Sequence, residues 1–472
     1  MKFTIISHAC VYIEHKNTRL IIDPWLIGSC YWRSWWNYPE PDEGLIQSLK
    51  PTHIYITHLH WDHYHGPSLR LLEKYDPEVI FPKHFTKRLI GDCRKFFKFT
   101  KIREIAHGQK IELGDDFKVC SYQWNPTIID SALVIEAGTR TILNANDCKI
   151  FGLSLRHLIS NHPKIDFVFR SHSSASPLPH CIKGSLPNAS SRSPTNYGKE
   201  FTFFSRKTKA LYSIPFASSH YYLHPRTVKQ NKYYSNPEFV KNIFDNIING
   251  NQNCKIMPSG SIWSEEKGFE INQIDYSQFD IHINEGIKKH LNSLDAQVSI
   301  ERKTILNKIA FHRYFQSFLK SLFFPFNFNF RFGFLIKEYI DDDSYLCVVD
   351  GKKKSTYIQK NSDENQYLRS SLSFVINTPI NVFNDCNTKK MYNCFGASKL
   401  LEIDILDSGS EAMIFKLFTL LDFYENGCLP IYKLFNWRNI NIIIIRWREF
   451  FDIIYYIIMV KVFRKNICKL YE

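Results

Sequence analysis

Residues 55–66 read YITHLHWDHYHG, and no other stretch limits the fold of this chain as tightly. His58, His60, Asp62 and His63 spell H-x-H-x-D-H. The residues ahead of them, THIYIT (52–57), are apolar and β-branched, so a strand runs straight into the loop. Alternate residues of an extended loop point the same way. His58 and His60 therefore face one point, Asp62 can face it too, and His63 reaches around from the turn. Imidazole suits Zn, Fe, Ni and Cu, and a neighbouring carboxylate hardens the site enough to hold a second ion. The pattern reads as one or two metal ions, one on His58 and His60 and the other on Asp62 and His63. Water bridging such ions loses a proton near neutral pH and becomes a nucleophile. His53 and His65 fall outside the pattern and read as ordinary polar residues.

Around this loop, residues 1 to about 225 alternate strands and helices. KFTIISHACVYIEH and TRLIIDPWL form a hairpin, PSLRLLEKY reads as a helix begun by Pro67, and EVIFP as the next strand. A run of strands follows between 101 and 147, punctuated by His107-Gly108, Gly114-Asp115 and Ala137-Gly138. Residues 174–195, rich in Ser and Pro, read as a loop, and a helix is expected over 197–209. This order predicts an α/β sandwich of two mixed sheets with helices outside. From about 270 the histidine clusters end and a smaller α+β domain is expected, opened by a helix in YSQFDIHINEGIKKHLNSL.

H-x-H-x-D-H after a short apolar strand resembles the signature of the metallo-β-lactamase superfamily. The resemblance implies an αββα sandwich over residues 1–265, followed by the α+β domain at 270–472. It also implies a further histidine, a bridging aspartate and a last histidine downstream. Asp147, ending the strand TRTILNANDC, fits the aspartate; with Asp62 it is the expected catalytic carboxylate. His220 and His224, after ALYSIPFASSH, are both candidates for the last ligand, and alignment with relatives favours His224. Asn125 stands where the middle histidine is expected. SHACVYIEHKNTRLIIDPWL resembles the opening of the branch that contains a phospholipase D and a sugar-acid lactonase, which puts His8 beside the site and Asp23 at a strand end. DPWLIGSCYWRSWWNYPEP, IDSALVIEAGTRTILNANDC and IPFASSHYYLHP are similar to the hydrolase-like domain of CMP-N-acetylneuraminate hydroxylases. Those enzymes also carry a Rieske cluster held by Cys-x-His and Cys-x-x-His pairs, a pattern that does not occur in these 472 residues. In YWRSWWNYPEP (31–41), Trp35 and Trp36 can stack on a ring and Arg33 can pair with a phosphate.

The net charge of +14 favours a small anionic substrate, while no compact Lys/Arg block argues for specific nucleic-acid binding. Twelve cysteines without a C-x-x-C pair, and no signal-like first segment, predict reduced thiols in a cytoplasmic protein. IIIIRWREFFDIIYYIIMVKVFRK (442–465) is too interrupted by charge to span a membrane. It reads as a buried helix, or as peripheral contact with a lipid surface. The expected function is a metal-dependent hydrolase whose metal-bound hydroxide attacks a phosphoester, amide or lactone, with a link to polysaccharide or sugar-nucleotide metabolism. Zinc is the expected ion, one or two per site, with iron or manganese as alternatives. The rivals are an iron-dependent oxygenase component without its Rieske domain, and a binding protein with a degenerate site.

Overall fold

A hairpin of alternating apolar residues starts the chain, and everything else in the first sheet is added to its edges. In the computed structural model, which describes residues 1–125, 130–184, 193–323, 326–361, 369–407, 409–462 and 467–471, Lys2–Ser7 pairs antiparallel with Cys10–His15, and this strand with Thr18–Ile22. The parallel strands His53–Tyr55, Glu78–Pro82 and Ile102–Ile105 extend one edge, and Ile262–Ser264 with Gly268–Glu270 the other, making eight strands. The second sheet has seven strands, a meander from Lys110 to Asn146 followed by the parallel strands Phe167–Ser171, Tyr212–Phe216 and Asn253–Cys254.

Phe3, Ile5, Val11 and Leu20 of the first sheet meet Val119, Leu133, Phe167 and Phe169 of the second in one core. The outer face of the first sheet is covered by helices Gly66–Leu72 and Arg88–Phe96, which pack Leu69, Leu72, Leu89 and Cys93 on Ile54 and Val79. Gly152–Asn161 and Pro194–Thr208 cover the second sheet through Leu155, Leu158 and Phe204. The result is the expected αββα sandwich. Of the Ser- and Pro-rich stretch at 174–195, residues 185–192 lie outside the described residues.

The helix expected near 280 is broken at His290 into Phe279–Lys289 and Leu291–Lys303. Beyond it, a five-stranded sheet packs with helices Lys308–Ser321, Ile380–Lys389 and Ser410–Glu425. Its phenylalanine-rich core, including Phe315, Phe334 and Phe383, continues without a break into Trp25, Tyr31, Trp35 and Tyr222 of the sandwich. The aromatic segment therefore forms the seam between the sandwich and the five-stranded sheet. The last part of the chain does not stay with this second core. Helices Trp437–Ile445 and Trp447–Tyr456, separated at Arg446, return to the sandwich. There Asp452 accepts from the N–H groups of Leu153 and Ser154 at 2.7 and 2.8 Å, and the Tyr471 hydroxyl accepts from Arg170 at 2.7 Å.

Candidate metal centre

Three strand ends and one small sheet meet at the histidine loop. The strand His53–Tyr55 delivers Thr57, whose N–H and hydroxyl both donate to Asp23, the residue that ends Thr18–Ile22, at 2.7 and 2.6 Å. Asp23 also accepts from His63 Nδ1 at 2.8 Å and from Asn146 Nδ2 at 2.5 Å. This fixes the His63 ring with Nε2 turned toward the site. His63 Nε2 then lies 3.3 Å from Asp62 Oδ2 and 3.4 Å from Asp147 Oδ2. It is buried, yet no aligned hydrogen bond reaches it. His8 Nε2, 3.1 Å from Asp62 Oδ2, is in the same condition. His58 Nε2 and His60 Nδ1 face each other at 2.8 Å. Two ligand-type groups follow from these positions, His8 with Asp62 and His63, and His58 with His63 and Asp147. Buried imidazole nitrogens and carboxylate oxygens that converge without hydrogen-bond alignment are a donor set that fits a bound cation.

The electrostatics agree with that fit. Burial works against the His63 cation, but Asp62 and Asp23 outweigh it and hold its pKa well above the ordinary value. Burial likewise opposes ionisation of Asp62, and His63 with His8 more than compensates, holding the carboxyl well below its usual range. For Asp147 the same balance, against burial and in favour of His63 and His58, lowers the pKa. Burial, with His63 and His60 adding to it, keeps His58 neutral.

Of the two candidates for a last histidine, the structure brings His220 to the cluster and not His224. His220 begins a strand, His220–Tyr222, that pairs with Trp35–Asn37 in a three-stranded sheet. Its ring lies 5.1 Å from His8, and burial and His8 hold it well below its ordinary pKa. His224 instead turns into its own loop, where Nδ1 accepts from the Arg226 N–H at 3.1 Å; burial and Arg226 push it down to about 4. The backbone carbonyl of Asn125 accepts from Arg446 Nη2 at 3.3 Å. The carboxylate that does approach His58 is Asp130, with Oδ1 3.7 Å from Nε2. Burial and Asp147 raise the Asp130 pKa. Asp130 carries one sequence signal, an acidic residue at the head of a largely apolar strand.

The expected substrate contacts divide in the same way. Trp35 borders the site, stacked on His220, but it is buried and donates from Nε1 to the Ala397 carbonyl at 3.0 Å. Trp36 stacks on His290 at 3.8 Å in a separate aromatic cluster, and Arg33 Nη1 donates to the Ser293 carbonyl. Both point away from the histidine loop, where Tyr31, Trp32 and Arg33 all take left-handed backbone, with φ of 53°, 53° and 63°. Such backbone costs roughly 1–2 kcal/mol for each side-chain-bearing residue, offset here by the seam between domains. The same turn aims the Tyr31 hydroxyl at Asp62 Oδ1, to which it donates at 2.5 Å. Lys149, two residues beyond Asp147, donates to Ser171 Oγ at 2.8 Å, and burial with the nearby Arg170 lowers its pKa. Neither Tyr31 nor Lys149 carries a sequence signal of its own.

Residues 2–163 match the model of the beta-lactamase superfamily domain. Over 153 residues the chain is 29% identical to cytidine monophosphate-N-acetylneuraminic acid hydroxylase of Cricetulus griseus, covering 31% of this chain and 27% of that protein. The Mus musculus protein gives the same identity, with 31% and 26% covered. The chain thus spans about a quarter of the length of these curated relatives. Among solved structures, a metallo hydrolase from the archaeon Ignicoccus hospitalis is 14% identical, with a TM-score of 0.38, covering 55% of this chain and 96% of that one. The histidine loop, with the strands and helices around it, thus lies in a segment, residues 2–163, that is similar to the beta-lactamase superfamily domain.

Proposed function

We propose that this chain is a metal-dependent hydrolase whose ions are held by His58, His60, Asp62, His63 and Asp147, with Asp130 and His220 as further donors. The observation that carries this reading is His63 Nε2, buried, without an aligned hydrogen bond, and within 3.4 Å of two carboxylates. When bound, the metal lowers the pKa of a water molecule and polarises the bond to be cleaved. The chain's own residues do the positioning. Asp23 holds His63 by Nδ1, Tyr31 holds Asp62 by Oδ1, and Trp35 backs the His220 ring. Asp130 supplies the donor that Asn125 does not.

An anionic phosphoester, amide or lactone is the proposed substrate. A cavity of about 930 Å³ supports this, because Arg70, Lys95 and Lys390 line it together with Trp61 and Phe97. It shares Leu59, Arg88 and Asn393 with a small cavity that reaches His60. The likeness to a hydroxylase of a cytidine monophosphate sugar supports a sugar nucleotide, and twelve cysteines with no disulfide among them support a reducing, cytoplasmic setting. The same likeness favours a second reading, an iron-dependent oxygenase component fed electrons by another chain. A panel of fluorogenic esters, lactones and phosphodiesters, run beside metal analysis of protein purified without chelator, separates the two. Zinc or manganese with turnover that disappears in His60→Ala supports the hydrolase. Stoichiometric iron with redox activity overturns it, and turnover indifferent to His60→Ala removes the metal site from the reaction.

A further inference from the structure

The sequence run 442–465 is too interrupted by charge to span a membrane, and the fold hides several of those charges. Arg446, Glu449 and Asp452 are all turned into the protein. Arg446 pairs with Glu449 through Nε at 2.7 Å, and Asp452 caps the helix Gly152–Asn161. What remains outside is apolar. Of twenty-eight exposed large apolar side chains among the described residues, fourteen fall within 432–458. Trp437 is 81% exposed, Phe435 75%, Ile444 62% and Phe451 58%. Among the described residues of this stretch no acidic side chain is exposed, and the only exposed charge is that of Lys433. Arg438 and Arg448 are part-exposed, Arg438 paired with Glu104 at 2.7 Å.

We propose that helices Trp437–Ile445 and Trp447–Tyr456 dock this protein on an anionic lipid surface, lying in the interface. An apolar face this dense is far beyond the scattered exposed residues of ordinary surfaces. Two tryptophans and two tyrosines, Trp437, Trp447, Tyr432 and Tyr455, are the side chains favoured where headgroup meets acyl chain. The one exposed charge among the described residues of the stretch, Lys433, is basic, and the chain's net charge of +14 complements anionic headgroups. No helix among the described residues is long and apolar enough to cross a membrane, so the contact is peripheral.

The test is co-sedimentation of the full chain with phosphatidylcholine vesicles containing phosphatidylserine. Binding is expected, weaker on phosphatidylcholine alone. Ile444→Glu and Phe451→Glu should each weaken it roughly tenfold or more, since each side chain would otherwise be buried in the acyl boundary. Ile309→Glu, at an equally exposed apolar residue on the second domain, should leave binding unchanged. Thermal unfolding of each variant should match the parent, because all three side chains already face outward. Absence of binding overturns the proposal, as does binding that survives both glutamates. A solution dimer that dissociates in Ile444→Glu also overturns it, by making a second copy of the chain the occupant of this face.

Discussion

Trp35 lies flat against His220, with ring centroids 3.6 Å apart and an interplanar angle of 1°. Trp35 is itself pinned from the second domain through its bond to the Ala397 carbonyl, so the second domain sets the orientation of a candidate ligand in the first. His220→Ala should therefore lower metal content or affinity by about tenfold or more, whereas His224→Ala should leave it near the parent value. Metal analysis after dialysis distinguishes them. Equal losses, or a loss confined to His224→Ala, would refute the assignment.

Asp23 is the hub beneath the loop. Its two oxygens accept from the Thr57 N–H and hydroxyl, His63 Nδ1 and Asn146 Nδ2. Asp23→Ala leaves these donors unpaired and frees the His63 ring. The expected result is about 3 kcal/mol of lost stability, as for breaking a buried pair, and a 10- to 100-fold drop in metal affinity. Urea unfolding and a metal titration measure the two effects separately.

His63 also makes a prediction about protons. Its folded pKa lies well above 6.5, raised against burial by Asp62 and Asp23. In the metal-free chain this group stabilises the fold below its unfolded pKa, and that stability is lost as pH rises through the raised folded value. A metal binding at Nε2 must displace the proton. Calorimetry at neutral pH in buffers of different ionisation enthalpy should show about one proton released per ion bound there. No proton release would mean that His63 is not a ligand.

Asp130→Asn tests the donor that stands in for Asn125. It should reduce metal occupancy and turnover at least several-fold, whereas Asn125→Ala, which keeps the backbone carbonyl that accepts from Arg446, should leave metal content near the parent value. Ranking the two variants by metal content decides between the positions.

Asp452 reaches across from the C-terminal segment to cap the helix that starts at Gly152, whose φ of 60° leaves no room for a Cβ beside the carboxylate. Asp452→Ala should cost about 1–2 kcal/mol, read as a lower melting temperature, with metal content unchanged. A change in metal content without a stability loss would contradict a purely structural role.

The αββα sandwich, the strand that feeds the histidine loop and the position of Asp147 at a strand end were all legible in the chain. Strand alternation and ligand spacing are local properties, so periodicity carries them. Other expectations failed where distant segments decide. Arg33 and Trp36 sit beside the right loop but are turned away at three left-handed residues and held by the 279–303 helices.

The sequence by itself determined that a strand ends in H-x-H-x-D-H and that a sandwich surrounds it. The tertiary structure alone placed His220, rather than His224, beside His8, brought Asp130 toward His58, and turned Arg446, Glu449 and Asp452 inward. Each choice depends on which long-range pairing a residue enters. His220 is set by its register opposite Asn37, Asp130 by the approach of its strand to His58, and the three charges by docking of the last helices on the sandwich. Residue order limits which side chains can meet; only the packed fold, where most buried polar groups find a partner, selects among them.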